Sequence, residues 1–208
     1  MNCRGHTRRK VLVQNYTITP LAHIKLLSGK KILSDAGGDI SDSYYLFSFK
    51  SKTNDTEEII YCGKPTAQDF CKMTNQKLPI LFNPLKSEAK INNKSKQTSI
   101  NTNTINWNKT RLQLYNATML LITVFDAIPN TPLFAIKEEL ETYVAYEPFL
   151  SRIKAINTII RNSKKTLRDY IEELSKDNNL KEYSFDLLVS KLKENKIQQY
   201  FENESNKT

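Results

Sequence analysis

The hydrophobic positions change period once along the chain, from about two residues before position 86 to about 3.6 after position 107. Between the two regimes lies SEAKINNKSKQTSINTNTIN, Ser87 to Asn106, built of Lys, Asn, Ser and Thr around isolated isoleucines. Such a strip has too little apolar surface to offset the entropy of ordering it. The pattern predicts an α+β protein: a basic α+β module over 1–86, a flexible linker over 87–106, a helical bundle over 107–201 and a frayed tail over 202–208.

Within the first half, Tyr45, Phe47 and Phe49 alternate with Tyr44, Leu46 and Ser48, which predicts a strand. A polar loop, Lys50 to Thr56, leads to a second run rich in β-formers, Glu57 to Cys62, and the pair reads as an antiparallel hairpin. Stacked aromatics on a strand can serve single-stranded bases, but the glycine and basic positions of the ribonucleoprotein signature are missing, so core packing is expected. Thr66-Ala67-Gln68-Asp69 matches a capping box, and Phe70 and Met73 then face the hairpin from a helix. The two prolines in Leu78 to Leu85 suit an extended edge segment. Upstream, residues 1–10 read as a flexible basic arm and Val11 to Val13 as a short strand. Leu21, Ile24 and Leu27 are spaced for a two-turn helix closed by Gly29, with a strand as the alternative.

Five helices are expected after Trp107. The first is capped by Asn108 and runs to about Ala127 with Leu112, Tyr115, Met119 and Ile122 on one face; its apolar end marks it as the central helix. Thr131-Pro132 starts the second, and Leu150, Ile153, Ile156 and Ile160 define the third. The fourth is read from about Ser163, and Ser184 caps the fifth. Lys164, Lys165 and Arg168 at the start of the fourth make it a candidate recognition helix, although the preceding turn lacks the usual glycine.

Charge adds a direction to this picture. The net charge is +9, and residues 1–100 hold 16 Lys and Arg against 8 Asp and Glu, so the excess belongs to the first half and the linker. That is the electrostatic footprint of an anionic partner, most often nucleic acid; an AT-rich gene, which over-uses Lys and Asn codons, produces the same bias. Phosphate contacts are expected from Arg8, Arg9, Lys10, Lys30, Lys31 and Lys64. The opening residues are polar and basic and no apolar run approaches the ~20 residues of a membrane span, so a cytoplasmic protein without a membrane partner is expected. Three cysteines, Cys3, Cys62 and Cys71, fit a reducing compartment.

Catalytic motifs fail on spacing. Gly63-Lys64-Pro65-Thr66 after a strand resembles the end of a phosphate loop, yet Glu58 stands where the first glycine belongs and Pro65 splits the Lys–Thr pair. Nucleotide hydrolysis is therefore not expected, and a single backbone phosphate held by Lys64 and the helix start is kept as a minor alternative. The cysteines with His6 do not form two close pairs, so no metal and no cofactor are expected. The histidines are His6, in the flexible arm, and His23, beside an apolar face with no acid nearby in sequence, and a triad is not expected. The function expected is non-enzymatic nucleic-acid association through the basic half, or alternatively a regulatory subunit that docks a protein partner through the helical half.

Overall fold

The structure, a computed structural model, describes residues 1–86 and 106–203. The linker expected over 87–106 therefore lies, apart from Asn106, outside the described residues. The protein is α+β, with the sheet in its N-terminal half and helices in its C-terminal half, and the chain divides into two compact units, Met1–Pro84 and Leu85–Thr208.

In the first unit the supposed arm is a helix, α1 (His6–Asn15), which absorbs Val11 to Val13 as well. Leu12 is its buried residue, so no apolar stripe marks the helix in the sequence. Polar tertiary contacts hold it instead. Asp69 accepts from His6 Nδ1 at 2.8 Å and from Arg9 Nε at 2.5 Å. At the other end Lys52 Nζ donates to the carbonyls of Val13 and Gln14 at 2.9 and 3.1 Å, where a helix leaves carbonyls unpaired and favours a cation.

The next element, β1 (Tyr16–Lys25), is a strand where a two-turn helix was the first reading. Ile18, Ala22 and Ile24 are buried at even spacing, and Pro20, which cannot donate to a ladder, sits at the irregularity between Pro20 and Ala22. A two-stranded ribbon follows, β2 (Ile32–Leu33) and β3 (Asp39–Ile40). The expected hairpin is present as β4 (Ser43–Ser51) and β5 (Glu57–Cys62). With β1 and the parallel edge strand β6 (Leu81–Phe82) it makes a four-stranded sheet in the order β5-β4-β1-β6. Helix α2 (Lys64–Met73) packs on it: the Phe70 ring lies 5.8 Å from Phe47 and 5.2 Å from Phe49, all three fully buried. The aromatics of β4 are thus core. The capping box is not formed, because α2 begins three residues earlier, with Gly63 in place of Thr66 as N-cap and Pro65 in the first turn. That leaves Asp69 mid-helix and available to α1.

The second unit holds α3 (Lys109–Val124), α4 (Pro132–Thr142), α5 (Leu150–Asn162), α6 (Leu167–Ser175) and α7 (Asp186–Glu194). Asn108 caps α3, its side chain accepting from the Arg111 amide, and α3 touches all four other helices. Leu112, read as a core position, is 40 % exposed, while Leu114 is fully buried. Helix α6 starts at Leu167, not near Ser163, because Thr166 and Asp169 form a reciprocal capping box there. Phe185 rather than Ser184 is the N-cap of α7. The chain is still held at residue 202, where fraying was expected: Glu202 ion-pairs with Arg168 at 2.7 Å, and Asn203 Oδ1 accepts from the Thr166 hydroxyl at 2.5 Å.

Candidate nucleic-acid interface

The six cations singled out from the sequence have different fates. Arg9 is turned inward: its Nε meets Asp69, and Nη1 donates to the Cys3 carbonyl at 3.2 Å. Its charge ties α1 to α2. Arg8 and Lys10, on the same helix, are exposed. Lys30 lies in the turn after β1, its amide donating to the Leu27 carbonyl at 3.1 Å, and Lys31 follows it, exposed. Lys64 is the exposed first residue of α2. Among the described residues no carboxylate pairs with Arg8, Lys10, Lys31 or Lys64. Asp42, Asp55 and Asp69 are each paired elsewhere, with Lys25, Lys50 and Arg9.

At the start of α2 the Gly63 cap offers no side-chain acceptor, so the first turn keeps the unpaired amides of a helix N-terminus. Lys64 lies close enough to His23 to act on it electrostatically. Burial holds the His23 ring below its ordinary pKa, Asp42 opposes this, and Lys64 reinforces it. The neutral ring stacks on Tyr45 at 3.8 Å, and its Nε2 lies 3.1 Å from the Ser43 hydroxyl. Sequence reasoning missed this neighbourhood, because β1 was read as a helix and the β1–β4 register that brings Ser43 and His23 together was not foreseen. Asp42 is drawn to Lys25 and to Ser43 rather than to the ring, so the imidazole has no carboxylate to orient it as a triad requires.

Beside α1 is a groove of about 510 Å³ lined by Arg8, Val11, Leu12 and Asn15 of the helix, by Met1, Asn2 and Tyr16, by Ser51 at the end of β4 with Thr53 and Asn54 of the loop after it, and by Glu58. Its polar side chains are three amides, two aliphatic hydroxyls, one guanidinium, one phenol and the Glu58 carboxylate, which pairs with the Met1 ammonium. The Tyr16 ring packs edge-on against Phe49 with centroids 6.0 Å apart.

No family model, curated protein or solved structure matches this chain. What it can do is therefore argued from its own groups.

Cys3, Cys62 and Cys71 belong to the buried core of the first unit and form no disulfide. Burial raises all three thiols, Cys3 to about 11, which leaves them protonated and poor as nucleophiles or ligands. Among the described residues no group of three His, Cys, Asp or Glu is arranged for a metal ion, and no helix is long and apolar enough to cross a membrane.

The candidate recognition helix of the second unit is already engaged: Lys165 pairs with Glu173 at 2.6 Å and Arg168 with Glu202, while Lys164 sits in the preceding turn at a φ of 63°. Arg168 also lines two grooves of that unit, of about 840 and 760 Å³, so its pairing removes their best anion-binding group. What that unit does present is the corner between α4 and α5, where Tyr143, Tyr146 and Phe149 are 54 %, 70 % and 72 % exposed. The corner is clamped from below. Arg111, only 2 % exposed, donates from Nε to the Tyr146 carbonyl at 2.5 Å, from Nη1 to Glu139 at 3.2 Å and from Nη2 to Glu147 at 3.3 Å. The Asn108 amide adds a fourth bond, to the Val144 carbonyl at 2.8 Å.

Proposed function

We propose that the protein is a non-enzymatic nucleic-acid-associated protein whose first unit contacts the phosphate backbone through Arg8, Lys10, Lys30, Lys31 and Lys64, with Arg9 reassigned to holding α1 in place. The observation that carries the reading is the partition of charge: Asp35, Asp42, Asp55, Glu58 and Asp69 of this unit are engaged in ion pairs, while Arg8, Lys10, Lys31 and Lys64 face solvent with no acid partner among the described residues. Exposed unpaired cations release counterions when they meet phosphates, which gives affinity without reading sequence. The test is fluorescence anisotropy with a labelled oligonucleotide at 50 and 200 mM salt. Affinity should fall steeply across that range, and Lys10→Gln with Lys64→Gln should lower the slope of log affinity against log salt by about one for each phosphate no longer neutralised. Binding indifferent to salt, or none at 50 mM, overturns the reading.

A second reading is favoured by the α4–α5 corner. Three large aromatics standing on a corner whose backbone accepts four hydrogen bonds, at Glu139, Val144, Tyr146 and Glu147, are the kind of rigid anchor found at protein interfaces. In this reading the helical unit docks a protein partner. A partner recovered on the intact protein should resist nuclease and be lost with Tyr146→Ser and Phe149→Ser; retention by that double variant removes the corner from consideration.

A further inference from the structure

The groove beside α1 matches one class of ligand in shape and chemistry. We infer that it takes an unpaired nucleotide of a single strand, with Arg8 on the phosphate, Tyr16 against the base, and the amides of Asn2, Asn15 and Asn54 on the polar edges of base and sugar.

This rests on the proposed backbone contact and goes beyond it, because a phosphate-only interface needs no groove. The volume, about 510 Å³, lies in the range of small-molecule sites, ~300–1,000 Å³. Its one guanidinium is not neutralised: Arg8 makes only a long bond, 3.4 Å, to the Asn2 carbonyl. The amides are half used. Asn15 Nδ2 donates to the Val11 carbonyl at 3.0 Å, Asn2 Oδ1 accepts from the Arg4 amide at 2.9 Å, and Asn54 Oδ1 accepts from the Thr56 hydroxyl at 2.5 Å and its amide at 3.3 Å. The Asn15 oxygen and the nitrogens of Asn2 and Asn54 stay open, so acceptor and donors line the same groove. Mixed donors and acceptors are what base edges require, and side-chain amides are the groups that pair with them most readily. Glu58, in the same wall, has one oxygen 3.7 Å from the Met1 ammonium; its charge disfavours a second phosphate, and its other oxygen can accept from a sugar hydroxyl or an exocyclic amine. A duplex is excluded by this chemistry, since its base edges are paired and stacked; an unstacked base with its edges free is the fitting occupant.

The experiment compares the full chain binding a labelled single-stranded twelve-mer with an abasic twelve-mer of the same phosphate count, by anisotropy at 50 mM salt. The intact strand should bind at least about fivefold more tightly, since an accommodated base adds stacking to backbone contact. Arg8→Gln should weaken both strands, whereas Asn15→Ala and Asn54→Ala should erase the preference for the intact one, with circular dichroism unchanged in each variant. Equal affinity for the two strands, or a preference that survives both amide variants, overturns the groove while leaving the backbone contact intact. If neither strand binds, both fall together.

Discussion

Replacing Arg111 with methionine removes the clamp beneath the α4–α5 corner at nearly constant volume. Three main-chain carbonyls, those of Glu139, Tyr146 and Glu147, lose a charged donor. Hydrogen bonds to charged groups contribute about 1.5–3 kcal/mol each, so the gross loss over three is about 4.5–9 kcal/mol. Two effects modify that sum. Burial pushes the Arg111 guanidinium below its ordinary pKa while Glu139 pushes it back, so removing it relieves a desolvation cost of several kcal/mol. Against this, Glu139 Oε1 is buried without a hydrogen-bond partner, and losing the nearby cation leaves its charge less compensated. The net expectation is destabilisation by about 3 kcal/mol, or a Tm lower by roughly 6–12 °C. Trp107 is the single tryptophan of the chain, 4.9 Å from Tyr115 and one residue before the α3 cap, so urea unfolding followed by its fluorescence reports on this end of α3. A loss below about 1 kcal/mol, or a more stable variant, would refute the reasoning: water would then be satisfying the carbonyls, or desolvation would outweigh the bonds.

Other outcomes follow from the first unit. Asp69→Ala should cost about 1–3 kcal/mol and loosen α1, read as lost helical circular dichroism before the main transition; burial raises the Asp69 carboxyl, but bonds from His6 and Arg9 overcome this and hold it below the usual carboxylate range. An unaltered α1 in that variant would mean that Leu12 packing suffices. His23 has a folded pKa below its unfolded value of 6.5, so the unfolded chain binds its proton first; stability should fall as pH drops below about 6.5 toward the folded pKa, and His23→Gln should flatten that slope between pH 7 and 5. An equal slope in the variant assigns the dependence elsewhere. The three buried thiols should resist Ellman's reagent at pH 8 in the native protein and all react in urea, and a native thiol that reacts within minutes contradicts the packing of Cys3, Cys62 and Cys71.

Local chemistry alone determined the class and many of the elements. The alternation in β4, the Asn108 cap and the Thr131-Pro132 start each act through neighbours a few residues away, and all appear where the periodicity and capping rules put them. Charge bias, too, was legible. Other features depended on partners distant in sequence. Helix α1 has almost no apolar stripe and exists through Asp69 and Lys52, some 40 to 60 residues away; Pro20 and the spacing of Leu21, Ile24 and Leu27 gave β1 a helical look that pairing with β4 overrode. The same distance dependence decided the fate of the cations. A sequence counts Arg8 and Arg9 as equals, but only folding puts a carboxylate against one, a groove beside the other, and three backbone carbonyls around Arg111. Charge is a property of the residue, whereas whether it remains available is a property of what the fold brings within about 4 Å of it.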